Sequence, residues 1–180
     1  MNRFAPRNGT QFSHLARRFF STLIGTGPTS ADVIWVKESL SVSEFELWIK
    51  MSPPDQSHSI SVAKIAKDDL PDDVIVVTAG LLHDVGKIAV QSGIFTRVAA
   101  AIIKPLATQE RIDRWTRQTG LLSGLGSFMN YPHIGSDILR DAGSDEFVVK
   151  WAAQHHLPPT EWTVENKRAE VLRRADQFAV

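Results

Sequence analysis

The 180-residue sequence contains no cysteine. Disulfide bonds, thiolate nucleophiles and cysteine-ligated zinc are therefore excluded, and any metal site must be built from His, Asp or Glu side chains. A chain without cysteine is also consistent with a reducing compartment, and we expect a cytoplasmic protein.

The sequence has no excess charge of either sign, because 20 Lys and Arg residues balance 20 Asp and Glu residues. A chain without net charge has no global field to attract a nucleic-acid polymer or a membrane surface. No apolar run reaches the roughly 18 residues that span a bilayer. We therefore expect no nucleic-acid polymer among the partners and no membrane span, whereas a homo-oligomer remains open.

Acidic residues are missing from the N-terminal segment, where the first is Asp32. Apolar residues recur there at helical spacing, at Phe12, Leu15, Phe19 and Leu23. This pattern predicts a helix that packs on the rest of the chain. A transit peptide and a helix on a membrane surface are the alternatives.

Turn signals divide the chain into short helical segments, and no convincing strand pattern appears. Ser30 is a candidate N-cap, and Ser43 with Glu46 has the spacing of a capping box. We predict an all-α, multi-helix bundle, with an N-terminal helical extension over residues 1–52 and a metal-binding domain over 53–180. The predicted helices span 31–40, 41–51, 53–67, 72–90, 94–104, 108–118, 121–129, 132–141, 144–156 and 164–178.

Several polar side chains lie on the apolar faces of different predicted helices. The segment "LLHDVGK", residues 81–87, places His83 and Asp84 inside an apolar run. A buried charge is costly unless it is paired or bound to a metal. One divalent cation would satisfy several such groups together, whereas a core of separately hydrogen-bonded histidines is the alternative. The residues with this pattern are His58, His83, Asp84, His155, His156 and Asp176.

Three segments together resemble the HD superfamily of metal-dependent phosphohydrolases. They are "QSHSISVAKIA" with His58, "LLHDVGKIA" with His83 and Asp84, and "RRADQFA" with Asp176. The resemblance implies an all-α HD-type bundle in which these four residues bind a divalent ion (Mn, Fe, Zn, Ni or Mg).

The resemblance also implies roles in catalysis and substrate binding. Asp84 is the expected catalytic carboxylate and could bridge two ions. Lys87 is expected to act in catalysis and to contact a substrate phosphate oxygen, and Gly86 is expected to allow a backbone or substrate to approach closely.

The most similar subset is the HD-GYP-related group, from which this sequence departs at two points. The sequence "WAAQHHLPP" supplies a histidine pair, His155 and His156, but no GYP signature follows it. In "YPHIGSDIL", Tyr131 stands where that group has a ligand, and His133 lies two residues later. We therefore expect one metal ion, with His155, His156 and His133 as candidates for a second site or a phosphate contact.

The expected function is hydrolysis of a nucleotide or another phosphate mono- or diester. The expected partner is a small molecule that contains phosphate. A regulatory or interaction module of the HD type, with weak or no turnover, is the alternative.

Overall fold

The computed structural model describes residues 27–90, 114–115, 117 and 130–179. Within these ranges the regular structure is helical and contains no strand, which confirms the all-α prediction. The predicted N-terminal helix and the helices over 94–104 and 121–129 lie outside the described residues, as does nearly all of 108–118. The described α-helices are Ser30–Ser39 (α1), Val42–Trp48 (α2), Pro53–Asp69 (α3), Val74–Leu82 (α4), Tyr131–Asp141 (α5), Glu146–Gln154 (α6) and Asn166–Phe178 (α7).

The N-caps of α1 and α2 lie one and two residues before the positions that the sequence patterns predicted. The N-cap of α1 is Thr29 rather than Ser30, and its side chain accepts a hydrogen bond from the backbone N–H of Asp32. The capping box of α2 is formed by Ser41 and Glu44, not by the predicted pair of Ser43 and Glu46. Both serines have an acid three residues later, but α1 ends just before Ser41, so the earlier pair meets the free helix end.

The prediction of one long apolar helix over 72–90 is wrong in its second half. Helix α4 ends at Leu82, and a 3₁₀ helix follows over Val85–Ala89. The Nδ1–H group of His83 donates to the carbonyl oxygen of Gly80, 2.9 Å away, in competition with the backbone of the next turn. Asp84 takes φ −100° and ψ 7° between the two helices, so its side chain leaves the face predicted for it.

Helices α3 and α4 pack with their backbones in close contact. A Cβ atom built on Gly80 would lie 2.9 Å from the Cα atom of Ala63. Only glycine allows this approach, which brings the helix carrying His58 against the helix that leads to His83. The surrounding apolar core includes the fully buried Trp48, Leu81, Leu82, Leu139, Trp151 and Leu172.

A second close contact joins the 3₁₀ helix to the start of α5. A Cβ atom on Gly86 would lie 1.9 Å from the carbonyl oxygen of Tyr131, and one on Gly135 would lie 2.9 Å from the nitrogen of Gly86. The close approach expected at Gly86 is therefore made by the protein backbone. The contact holds Tyr131 next to the segment that carries Asp84.

This contact predicts that Gly86→Ala destabilises the fold by about 3 kcal/mol, because the added methyl group must push α5 away from the 3₁₀ helix. Urea unfolding followed by tryptophan fluorescence measures the loss. The control is Gly143→Asn, at a residue with φ 78° and open space around its Cβ position, where asparagine tolerates the left-handed conformation. A Gly86→Ala variant as stable as the wild type would contradict the packing described here.

Candidate metal centre

Two buried histidines present the same ring nitrogen to the centre of the helical bundle. The Nδ1 atom of His83 is bonded to the carbonyl oxygen of Gly80, and that of His155 to the carbonyl oxygen of Ala152, both at 2.9 Å. A carbonyl oxygen only accepts, so Nδ1 carries the proton in both rings, and Nε2 bears a lone pair when the ring is neutral. Burial lowers the pKa of His155, more than its carboxylate neighbours raise it, and so favours the neutral ring. Backbone bonds of this kind orient metal-binding histidines.

A third histidine and a second carboxylate lie on the solvent-facing side of this group. His58 on α3 and Asp176 on α7 approach each other with Nε2 2.9 Å from Oδ1. The same oxygen of Asp176 lies 3.9 Å from Nε2 of His83. About a fifth of each of these two side chains is exposed, so this side of the site can be reached from solvent.

The carboxylate of Asp84 lies at the centre of the site and is 4% exposed. Its Oδ2 atom is 2.5 Å from Nζ of Lys87 and 3.5 Å from Nε2 of His83, and its Oδ1 atom is 3.6 Å from Nε2 of His155. Burial alone would raise the pKa of Asp84, but the attraction of the Lys87 ammonium group holds that pKa well below the usual value. Asp84 is therefore ionised at neutral pH.

Asp84 belongs to two overlapping triads of candidate metal ligands. The first consists of His58, His83 and Asp84, and the second of Asp84, His155 and His156. Within each triad the donor atoms lie within 4.8 Å of one another. Imidazole nitrogens combined with a carboxylate oxygen suit divalent transition metals, so the donor set fits the metal expected from the sequence. Asp176 adds a carboxylate at the edge of the first triad.

Tyr131 reaches the second triad from the start of α5. Its hydroxyl group donates to Oδ1 of Asp84 at 2.7 Å and lies 2.6 Å from Nε2 of His156 and 3.4 Å from Nε2 of His155. Burial and the charge of Asp84 raise the pKa of Tyr131 well above its usual value, so the phenol keeps its proton. The sequence marked this position as a departure from a family pattern, but did not show what the hydroxyl contacts.

The HD domain family matches residues 56–180, which include all the candidate ligands described above. This chain belongs to the HD domain family. No curated protein and no solved structure matches the chain. The HD-type helical bundle predicted from the sequence is thus confirmed, and the HD family is generally one of metal-dependent hydrolases that act on phosphate-containing substrates.

The structure of this HD domain shows one site residue that the sequence analysis missed, which is Asp55. Its Oδ1 atom lies 3.1 Å from Nζ of Lys87, and the same Nζ atom is 2.5 Å from Oδ2 of Asp84, so Lys87 lies between two buried carboxylates. Burial would lower the pKa of Lys87, but the two carboxylates raise it above its usual value. Asp55 has a local role too, because it pairs with Ser52 at the start of α3. That capping pattern is the only sequence signal for it, and it does not indicate a site residue.

The remaining predicted site residue, His133, lies apart from these groups. It is exposed on α5 and belongs to neither triad. Tyr131 and His133 are two residues apart on one helix, so their side chains point in nearly opposite directions. Of the two, the tyrosine faces the triads.

A cleft of about 430 Å³ opens beside the two triads. It is lined by the histidine pair, by the segment Leu157–Pro159 and by α7. Arg173 lines the cleft next to Asp176, whereas its neighbour Arg174 forms an ion pair with Asp69. No helix within the described residues is long and apolar enough to cross a membrane.

The contacts of Lys87 predict that Lys87→Met lowers the free energy of unfolding by about 3 kcal/mol at pH 7, because two buried carboxylates lose their cation. The depressed pKa of Asp84 contributes stability above the carboxyl's unfolded pKa, and this contribution disappears as the pH falls. The difference between variant and wild type should therefore shrink below about pH 4.

Urea unfolding of both proteins between pH 3 and 8, with a chelator present, measures this difference. Lys64→Met is the matched control, because it removes an ion pair from a lysine that is 54% exposed, and its cost should stay below about 1 kcal/mol. A loss for Lys87→Met no larger than that of the control would contradict the proposed pairing.

Proposed function

We propose that this HD domain hydrolyses the phosphate ester bond of a nucleotide or another phosphate mono- or diester with a divalent metal ion. The observation that carries the proposal is the pair of buried imidazoles, His83 and His155, whose Nδ1 atoms are held by backbone carbonyl groups and whose Nε2 atoms face the ionised carboxylate of Asp84. A divalent ion among these atoms would accept the imidazole nitrogens and the carboxylate oxygen together, and such an ion is the cofactor of the family.

The proposed ligands are His58, His83, Asp84 and Asp176. Three of them form the first triad, and Asp176 contacts His58 and approaches His83 from the open side. A bound Mn, Fe, Zn, Ni or Mg ion would polarise a phosphoryl oxygen and lower the pKa of a water molecule. Asp84 is the proposed catalytic carboxylate, because it is ionised and belongs to both triads.

Lys87 is the proposed contact for a phosphoryl oxygen. Its raised pKa keeps the ammonium group charged at neutral pH, and about a fifth of its side chain is exposed. Asp55 and Asp84 hold Nζ in place on two sides. A positioned cation of this kind stabilises the negative charge that develops on a transferring phosphoryl group.

The cleft next to the triads is the proposed substrate site. Arg173 and His156 both line it, so a phosphate ester in the cleft would meet a guanidinium group and an imidazole before it reached Asp84. Arginine binds phosphate through two parallel N–H bonds. The residues therefore favour an anionic substrate.

A second candidate function is a metal-binding regulatory module without significant turnover. The observation that favours it is Tyr131, whose hydroxyl already contacts the carboxylate and both histidines of the second triad. In that case the ion would stabilise the fold, and a partner would recognise the surface.

The proposed ligands predict that the purified chain binds a divalent ion and that His83→Ala reduces metal content at least tenfold, because the buried ligand cannot be replaced by a neighbour. Metal analysis by mass spectrometry is combined with assays on nitrophenyl phosphates, nucleotides and cyclic dinucleotides. His133→Ala is the matched control, because it removes an exposed histidine that lies in neither triad.

The outcomes separate the two functions. Hydrolysis that is lost with the ion in His83→Ala, and retained in His133→Ala, supports the phosphohydrolase. A bound ion whose loss lowers thermal stability, without hydrolysis of any compound before or after, supports the regulatory module.

The cleft predicts that Arg173→Gln raises KM for a hydrolysed phosphate ester about tenfold, as expected for the loss of one charge-assisted hydrogen bond. The control is Arg174→Gln on the same helix, whose guanidinium pairs with Asp69 away from the cleft. Steady-state kinetics on both variants gives the comparison. Equal KM values for the two variants would place the substrate elsewhere.

A further inference from the structure

We propose that the hydroxyl group of Tyr131 fills the second triad and limits the candidate metal centre to one divalent ion. The inference rests on the proposed metal centre and deepens it, because it sets the number of ions. Its basis is that a single oxygen atom contacts all three members of the second triad, Asp84, His155 and His156.

The hydroxyl group uses the atoms that a second ion would need. It has one proton, which it donates to Oδ1 of Asp84 at 2.7 Å. Nε2 of His156, 2.6 Å from the same oxygen, must therefore be the donor in its own hydrogen bond with Tyr131. A ring nitrogen has to give up such a proton before it can bind a metal ion. One carboxylate oxygen and one histidine nitrogen of the second triad are thus already engaged.

An ion bound to all three atoms would have to displace the hydroxyl or take it as a further ligand. Displacement is opposed by the packing of α5, because the carbonyl oxygen of Tyr131 lies against Gly86 and the side chain is 5% exposed. Ligation as a phenolate would put a second negative charge beside the buried carboxylate of Asp84.

The charges around Asp84 also favour a single ion. Lys87 already places one positive charge 2.5 Å from Oδ2 of Asp84. The second triad contributes no carboxylate of its own, since its two other members are histidines. The first triad, in contrast, has Asp176 close to His58 and His83. A divalent ion therefore meets two carboxylates at the first triad and one shared carboxylate at the second.

The same geometry predicts how the restriction can be removed. In Tyr131→His, an imidazole replaces the phenol on the same turn of α5, facing Asp84 and both histidines of the pair. The hydroxyl group is lost and a ligand nitrogen is gained, so the second triad becomes a four-residue site. In Tyr131→Phe the hydroxyl group is lost and nothing replaces it, so a weaker second site should form.

The experiment counts the ions bound to metal-stripped protein that has been reloaded with Mn²⁺. Mass spectrometry gives the number per chain, and electron paramagnetic resonance detects the coupling between two neighbouring Mn²⁺ ions. We expect one ion and no coupling in the wild type, and two coupled ions in Tyr131→His. Tyr131→Phe should exceed one ion only at excess Mn²⁺. Adding His156→Ala to Tyr131→His should return the number to one.

Two coupled ions in the wild type would overturn the inference while leaving the proposed metal centre intact. A wild-type chain that binds no ion would overturn the proposed centre and the inference with it. One ion in a folded Tyr131→His variant would show that the tyrosine is not what restricts the site. If that variant does not fold, a single ion at excess Mn²⁺ in Tyr131→Phe overturns the inference instead.

Discussion

The charge of the buried Asp84 carboxylate is the constraint around which this part of the molecule is arranged. An ionised carboxylate with 4% exposure cannot be left without partners. Each polar neighbour comes from a different part of the fold: Lys87 from the 3₁₀ helix, Tyr131 from α5 and His155 from the end of α6. The partners of Asp84 therefore join segments that are far apart in the chain, and the site and the core are built by the same contacts.

Two glycines allow those segments to approach closely enough. Gly80 brings α4 against α3 at Ala63, and Gly86 brings the 3₁₀ helix against the backbone of Tyr131. Neither glycine is needed for a positive φ angle. At both glycines a neighbouring backbone occupies the space where a Cβ atom would be, and this close approach determines how near His58 of α3 and Tyr131 of α5 lie to Asp84. Close backbone packing is thus a condition for the geometry of the candidate metal centre.

The helix break after Leu82 determines how the side chains of the LLHDVGK segment are oriented. If the apolar helix had continued, Asp84 and Lys87 would still share one face, about 60° apart around the helix axis. The 3₁₀ helix aligns these two residues more closely, because residues three apart eclipse in it, and the bond from His83 to Gly80 leaves Nε2 of His83 facing the carboxylate. Asp55, from the first turn of α3, then completes the surroundings of Lys87. The result is one cluster in which imidazoles, carboxylates, the ammonium group of Lys87 and the phenol of Tyr131 contact one another.

The sequence by itself determined the all-α class and the HD family, because helical periodicity and the spacing of His58, His83, Asp84 and Asp176 are properties of the linear chain. It did not reveal Asp55, whose local signal is that of a helix cap, nor the end of α4 at Leu82, because the apolar run continues beyond that residue. It identified Tyr131 as unusual without indicating its contacts. Only the tertiary structure decided that the phenol, and not His133, faces the triads. Contacts across 47 residues between Asp84 and Tyr131 depend on how helices pack, which local sequence patterns do not encode.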